Sequence, residues 1–104
     1  MRLVFAEPAE RDLGNIIDYI ALDNPAAAEK VFRAIITTAG RLTRFPEIGR
    51  IGRVSGTYEL IVTGLPYLIV YQVTADTITV VAVFHGARDL TQALAERQGE
   101  LSRQ

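Results

Sequence analysis

Tyr67-Leu68-Ile69-Val70-Tyr71-Gln72-Val73 is apolar at nearly every position and is bounded on both sides by turn residues. A run of this length and composition predicts a central strand, covered on one face and partly sheltered on the other. Upstream, Gly64-Leu65-Pro66 separates it from a strand-like run over 57–63; downstream, Ala75-Asp76 separates it from another over 77–84. Connections this short join antiparallel neighbours, so the three runs predict a meander. In the first of them Tyr58, Leu60 and Val62 alternate with Thr57, Glu59 and Ile61. We assign the former set to the core, which turns Glu59 to the opposite face.

The sequence before the meander has a different period. Residues 2–6 read as a short strand, after which Glu7-Pro8-Ala9-Glu10 offers a proline suited to a first helical turn and acids suited to the positive end of a helix dipole. Ala9, Leu13, Ile16, Ile17 and Ile20 then share one helical face, leaving Arg11, Asp12 and Asp18 toward solvent. Asn24 and Pro25 are a good N-cap and first helical residue for a second helix, whose face is Ala28, Val31, Phe32, Ile35, Ala39, Leu42 and Phe45. With so short a connection the two helices form an antiparallel hairpin. Pro46 ends the pattern, and the glycines at 49, 52 and 56 predict a loop over 46–56 without a regular element. After the meander, residues 89–101 carry a possible cap at Asp89 and a weak apolar period in Leu90, Ala93 and Leu94, predicting a short helix. The fold class is α+β: an N-terminal strand, then a helix hairpin packed on one face of an antiparallel β-meander, then the C-terminal helix. We expect one domain over 1–104, with a core over about 1–90 and a helical tail over 89–104.

The chain of 104 residues can build one hydrophobic core but not two. Its 49% hydrophobic and 22% charged content excludes a disordered or fibrous protein. With no cysteine, disulfides, thiolate metal sites and thiol nucleophiles are excluded together. No apolar run reaches a membrane span, and Met1-Arg2-Leu3-Val4-Phe5-Ala6 is too short for a secretory leader, so a cytoplasmic protein is expected. The net charge of −1 and pI near 5.8 argue against affinity for nucleic acid through bulk electrostatics.

That charge is unevenly spread. Residues 33–53 hold five arginines against Glu47, between two acidic flanks. Such a local cluster suits one anion or an acidic partner surface without general affinity for polyanions. Arg33, Arg41 and Arg44 read as a solvated helix face. Arg50 and Arg53 lie in the glycine-rich loop, where backbone and guanidinium can approach a phosphate or carboxylate together. The excess of arginine over Lys30, the one lysine, reflects codon usage as readily as function.

A second cluster is Phe84-His85-Gly86-Ala87-Arg88-Asp89 after the last strand. His85 is either a structural hydrogen-bonding group or an acid–base residue, since it alone titrates near neutrality unaided. Tyr67 and Tyr71 share a strand face and serve either as core or rim aromatics or as stacking platforms. The chain contains no phosphate-binding glycine motif, metal-ligand set or serine triad, so neither cofactor nor metal is expected.

Several of these pieces stand in a telling order: Asp12-Leu13 with Ile16 and Tyr19-Ile20; Asn24-Pro25-Ala26-Ala27; Pro46 with Gly49-Arg50 and Gly52-Arg53-Val54; Gly56-Thr57 with Glu59-Leu60; Pro66-Tyr67 with Val70-Tyr71; and His85-Gly86-Ala87-Arg88. Together they resemble the RelE/ParE superfamily of type II toxin-antitoxin toxins over roughly residues 3–90. The resemblance implies a small growth-arresting toxin, of the kind linked to plasmid stabilisation. It also implies neutralisation by a cognate ParD- or RelB-like antitoxin, with operator DNA contacted only through that antitoxin. Within the superfamily, RelE-like members cut mRNA in the ribosomal A site and ParE-like members poison DNA gyrase. Tyr58 stands where many relatives carry arginine, so one cation of the usual basic set is missing.

Physical chemistry weighs the two branches. RNA cleavage by a 2′-hydroxyl needs a base, an acid and cations for the pentavalent phosphate. Glu59 and His85 are the candidates for the first two, and Arg50, Arg53 and Arg88 for the third. Docking into ribosomal RNA, however, favours a strongly basic surface, which this chain lacks. A gyrase poison needs only a local cationic patch facing an acidic protein. The sequence therefore favours gyrase, with Arg50, Arg53, Tyr67, Tyr71, His85 and Arg88 as the target-binding set. The alternatives are a ribosome-dependent nuclease and an inactive antitoxin-binding module.

Overall fold

A computed structural model describes residues 1–86 and Arg97. The elements are β1 (Arg2–Phe5), α1 (Glu7–Ala21), α2 (Pro25–Arg41), β2 (Arg50–Ile51), β3 (Tyr58–Ile61), β4 (Tyr67–Val73) and β5 (Thr77–His85), and the strands form one sheet ordered β1-β5-β4-β3-β2. The expected antiparallel meander β3-β4-β5 is present, with β4 central. β1, by contrast, adds to β5 in parallel, from Arg2 opposite Thr77 to Phe5 opposite Val80, so the sheet is mixed rather than antiparallel throughout. The long connection that a parallel pairing requires runs through the helix hairpin to the far edge of the sheet and returns by β2 to β4, and the pairing covers an edge of β5 that would otherwise be open.

Both helices carry a proline in the first turn, and α2 alone adds a side-chain cap. Pro8 lies in the first turn of α1 with Glu7 and Glu10. The Asn24 side chain accepts a hydrogen bond from the Ala27 amide at 3.0 Å, a cap of the kind that contributes ~1 kcal/mol. Their inner faces bury Ala9, Leu13, Ile35, Ala39 and, just past α2, Leu42 against Val62, Ile69, Tyr71, Ile78, Val80 and Val83. Each fully buried branched aliphatic there contributes about 1.5–3 kcal/mol. Two of the residues assigned to that face are exposed. Phe45 lies past the end of α2 at Arg41, where the helical period no longer applies. Phe32 sits at the border of the stripe and, with Phe5, Leu13, Ile17 and Ile36, lines an apolar groove of about 380 Å³.

The far face of the sheet has its own cluster of Leu68, Val70, Val81, Ala82 and Phe84, with Val54 packed against it. The loop expected over 46–56 contains the two-residue strand β2, because Gly49 and Gly52 bracket Arg50 and Ile51 rather than interrupt them. Gly56, with φ of 84°, supplies the left-handed residue on the way back into β3.

A register shift between Val70 and Tyr71 pairs Val70 with Ala82 and Tyr71 with Val80, leaving Val81 as the extra residue of a bulge. β1 has ended by then, and the Ala6 amide donates to the Val80 carbonyl at 2.9 Å as the chain turns into α1. Side chains close the edge beyond. The Val83 amide donates to Asp12 Oδ2 at 3.0 Å, and helical Arg97 donates to the Val81 carbonyl at 3.2 Å while meeting Asp12 Oδ1 at 2.8 Å. Asp12 is therefore not turned to solvent as its helical position predicts; the unpaired β5 edge draws it in. Apart from Arg97, the helix expected over 89–101 lies outside the described residues, as does Arg88.

Candidate functional site

Arg50 on β2 lies directly opposite Glu59 on β3, on the sheet face away from the helices. The Glu59 side chain is only 1% exposed, whereas those of Arg50 and Arg53 are 59% and 40% exposed. Enclosing a carboxylate is tolerated when it is paired and its oxygens are hydrogen-bonded. Both conditions hold: Arg50 Nη2 donates to Glu59 Oε1 at 2.9 Å, the Arg53 amide donates to Oε2 at 3.0 Å, and Arg53 Nε approaches Oε1 at 3.5 Å. The two arginines border a cleft of about 270 Å³ whose other walls include Ile61, Leu65, Pro66, Leu68 and Gly86. Sequence reasoning placed Glu59 on this face but not its enclosure. That follows from the β2–β3 register, and β2 was not expected.

Tyr71 is fully buried on the helix side. Its ring stacks on Tyr58 at 5.5 Å; its hydroxyl donates to the Pro46 carbonyl at 2.9 Å and accepts from the Gly49 amide at 3.0 Å. Burial pushes the phenol above its usual value of 10.0; the Gly49 N–H works the other way, and Tyr58 and Glu47 add to the rise. Assigning Tyr71 to the target-binding set is thus corrected: a central-strand aromatic whose hydroxyl finds partners is core. Tyr67, also buried, meets His85 edge-on with ring centroids 5.4 Å apart. The half-buried His85 borders a shallow cleft of about 230 Å³ with Asn15, Ile16 and Tyr19 of α1. Because His85 pairs with Tyr67 and Glu59 with Val70, the histidine and the carboxylate leave opposite faces of the sheet. The structure brings Arg50, Arg53 and Glu59 together and sets His85 apart from them. Among the described residues, no group of acids and histidines could hold a metal ion. Nor is any described helix long and apolar enough to cross a membrane.

The family model described as ParE toxin of type II toxin-antitoxin system, parDE, matches residues 3–90. Y4kP of Sinorhizobium fredii is 36% identical over 83% of this chain and 88% of its own. Toxin RelE2 of Caulobacter vibrioides is 33% identical over 84% of this chain and 97% of its own. The fold resembles a chain of the chromosomal ParDE toxin-antitoxin system from P. aeruginosa with a TM-score of 0.74, at 23% identity over 82% of this chain and 95% of that one. The chain belongs to the ParE toxin family of type II toxin-antitoxin systems, within the RelE/ParE superfamily.

Proposed function

We propose that this toxin arrests growth by engaging DNA gyrase through the cationic edge formed by Arg50 and Arg53, and that a ParD- or RelB-like antitoxin neutralises it. The observation that carries this reading is the engagement of Glu59. Glu59 and His85 are the base and acid that the sequence offers a ribonuclease, yet Glu59 is enclosed by two arginines and His85 leaves the other face. The net charge of −1 supports the same side, because ribosome docking draws on a basic surface and a local patch suffices for an acidic protein. The apolar groove beside Phe32 and Ile17 suits an amphipathic helix of the antitoxin.

Purified toxin should inhibit gyrase supercoiling, and its induction should cause filamentation and a DNA-damage response that the antitoxin relieves. Cleaved mRNA on ribosomes beside intact supercoiling would reverse the assignment; absence of growth arrest would leave only an antitoxin-binding module. Arg53→Ala should detoxify while preserving antitoxin binding, since the Arg53 amide contact to Glu59 survives the substitution.

A further inference from the structure

We propose that Glu59 is a positioning residue: its enclosed carboxylate holds the Arg50 and Arg53 guanidinium groups at the cleft as a preset fork for a single carboxylate on the target protein. The inference rests on the protein-target reading above and deepens it. Three observations carry it. First, Glu59 is anchored on the Arg53 backbone amide as well as on side chains, so its Oε1 is a fixed point shared by Arg50 Nη2 at 2.9 Å and Arg53 Nε at 3.5 Å. Each guanidinium has five N–H donors, and these contacts leave most of them for an incoming acceptor.

Second, two cations on one carboxylate leave the trio with a formal charge of +1, matched to one monoanion rather than to a run of phosphates. Third, Ile61, Pro66 and Leu68 make much of the remaining wall apolar, which suits an acidic side chain with apolar neighbours and offers nothing to a hydrated phosphate backbone. Holding the arginines in advance removes part of the ordering cost that two long side chains otherwise incur on binding.

Glu59→Gln tests this, because the amide oxygen can still accept from the Arg53 amide while the charge holding the guanidinium groups is gone. If cationic charge alone captured the target, removing this carboxylate would strengthen inhibition of supercoiling. Positioning predicts the reverse, a rise of at least tenfold in the toxin concentration that half-inhibits purified gyrase. Arg50→Lys keeps the charge, removes the fork and lies on an exposed side chain, so it tests the same point should Glu59→Gln fail to fold. It should show the same loss, with melting temperature and antitoxin affinity unchanged. The double variant should lose no more than the worse single variant, since Glu59 acts through Arg50.

Inhibition by Glu59→Gln or Arg50→Lys equal to or above the wild type removes the positioning role and leaves the gyrase reading standing. A wild-type toxin that arrests growth without touching gyrase overturns that reading and the carboxylate occupant with it.

Discussion

The Gly49 amide donates a hydrogen bond of 3.0 Å to the Tyr71 hydroxyl, tying the start of the arginine-bearing loop to the middle of the central strand. The same hydroxyl donates to the Pro46 carbonyl at 2.9 Å, so one buried oxygen holds both sides of the turn that leads into Arg50. Tyr71→Phe removes both bonds and leaves two backbone groups to find water. We expect a loss of about 1–3 kcal/mol in urea unfolding and faster hydrogen exchange at the Gly49 amide. Unchanged stability and exchange would show that the tyrosine does not hold the loop.

Gly49 is required by space. A Cβ there would lie 2.5 Å from the Tyr71 hydroxyl and 2.9 Å from the Glu59 carbonyl oxygen, the second of which is backbone and cannot swing away. Gly49→Ala should destabilise by about 1–3 kcal/mol, the usual range for overpacking. Combining it with Tyr71→Phe should recover part of that loss, because the nearer obstruction is gone. Full additivity of the two losses would contradict the steric account.

Tyr71 also sets an alkaline limit. Burial raises its folded value above 10.0, so the proton is held more tightly in the folded chain than in the unfolded one. Its contribution is fully present below pH 10.0 and is lost as pH rises through the folded value. Stability should therefore fall above about pH 10 more steeply in the wild type than in Tyr71→Phe, as measured by denaturant midpoints across that range.

The two helices and the three strands of the meander were legible because each carries a period that its burial enforces: Ala9 and Leu13 point inward as their spacing requires, and Tyr71 lies opposite Tyr58 as the alternation requires. The features that build the candidate site were less legible, because each depends on a partner distant in sequence. Arg50 becomes a strand residue only through Glu59, and Asp12 is drawn inward only because β1 ends before β5 does. Phe32 and Phe45 show the complementary limit, since an apolar residue at the border or past the end of a helix keeps its period without a wall to pack on. Tyr67 and Tyr71 were open between core and target contact. Position in the sheet decides for Tyr71, whose ring and hydroxyl are both satisfied internally.

Asp12 and Arg97 form a pair with only 14% of each side chain exposed, and the aspartate also accepts from the Val83 amide. Asp12→Ala strands that amide and removes the carboxylate from Arg97, so we expect a loss of about 2–4 kcal/mol, close to that of breaking a buried pair. Asp12→Asn keeps an acceptor for Val83 and should lose roughly half as much. The exposed Glu7–Arg11 pair on the same helix is the control: its coupling in a double-mutant cycle should be less than about 0.5 kcal/mol. Similar losses at both sites in thermal melts would mean that the β5 edge does not depend on Asp12.

His85→Gln separates the two branches of the superfamily at one position. The ring meets Tyr67 edge-on, a contact worth about 0.5–1.5 kcal/mol, and lies on the sheet face opposite Glu59. If His85 is a structural residue, its replacement should leave growth arrest and gyrase inhibition within about twofold of the wild type. A general acid would behave differently: its loss lowers phosphoryl-transfer rates by roughly 10²–10⁴-fold. A wild-type toxin that cleaves mRNA on ribosomes, together with a variant that folds, binds the antitoxin and has lost that cleavage, would therefore return His85 to the catalytic assignment and restore the ribosome as the target.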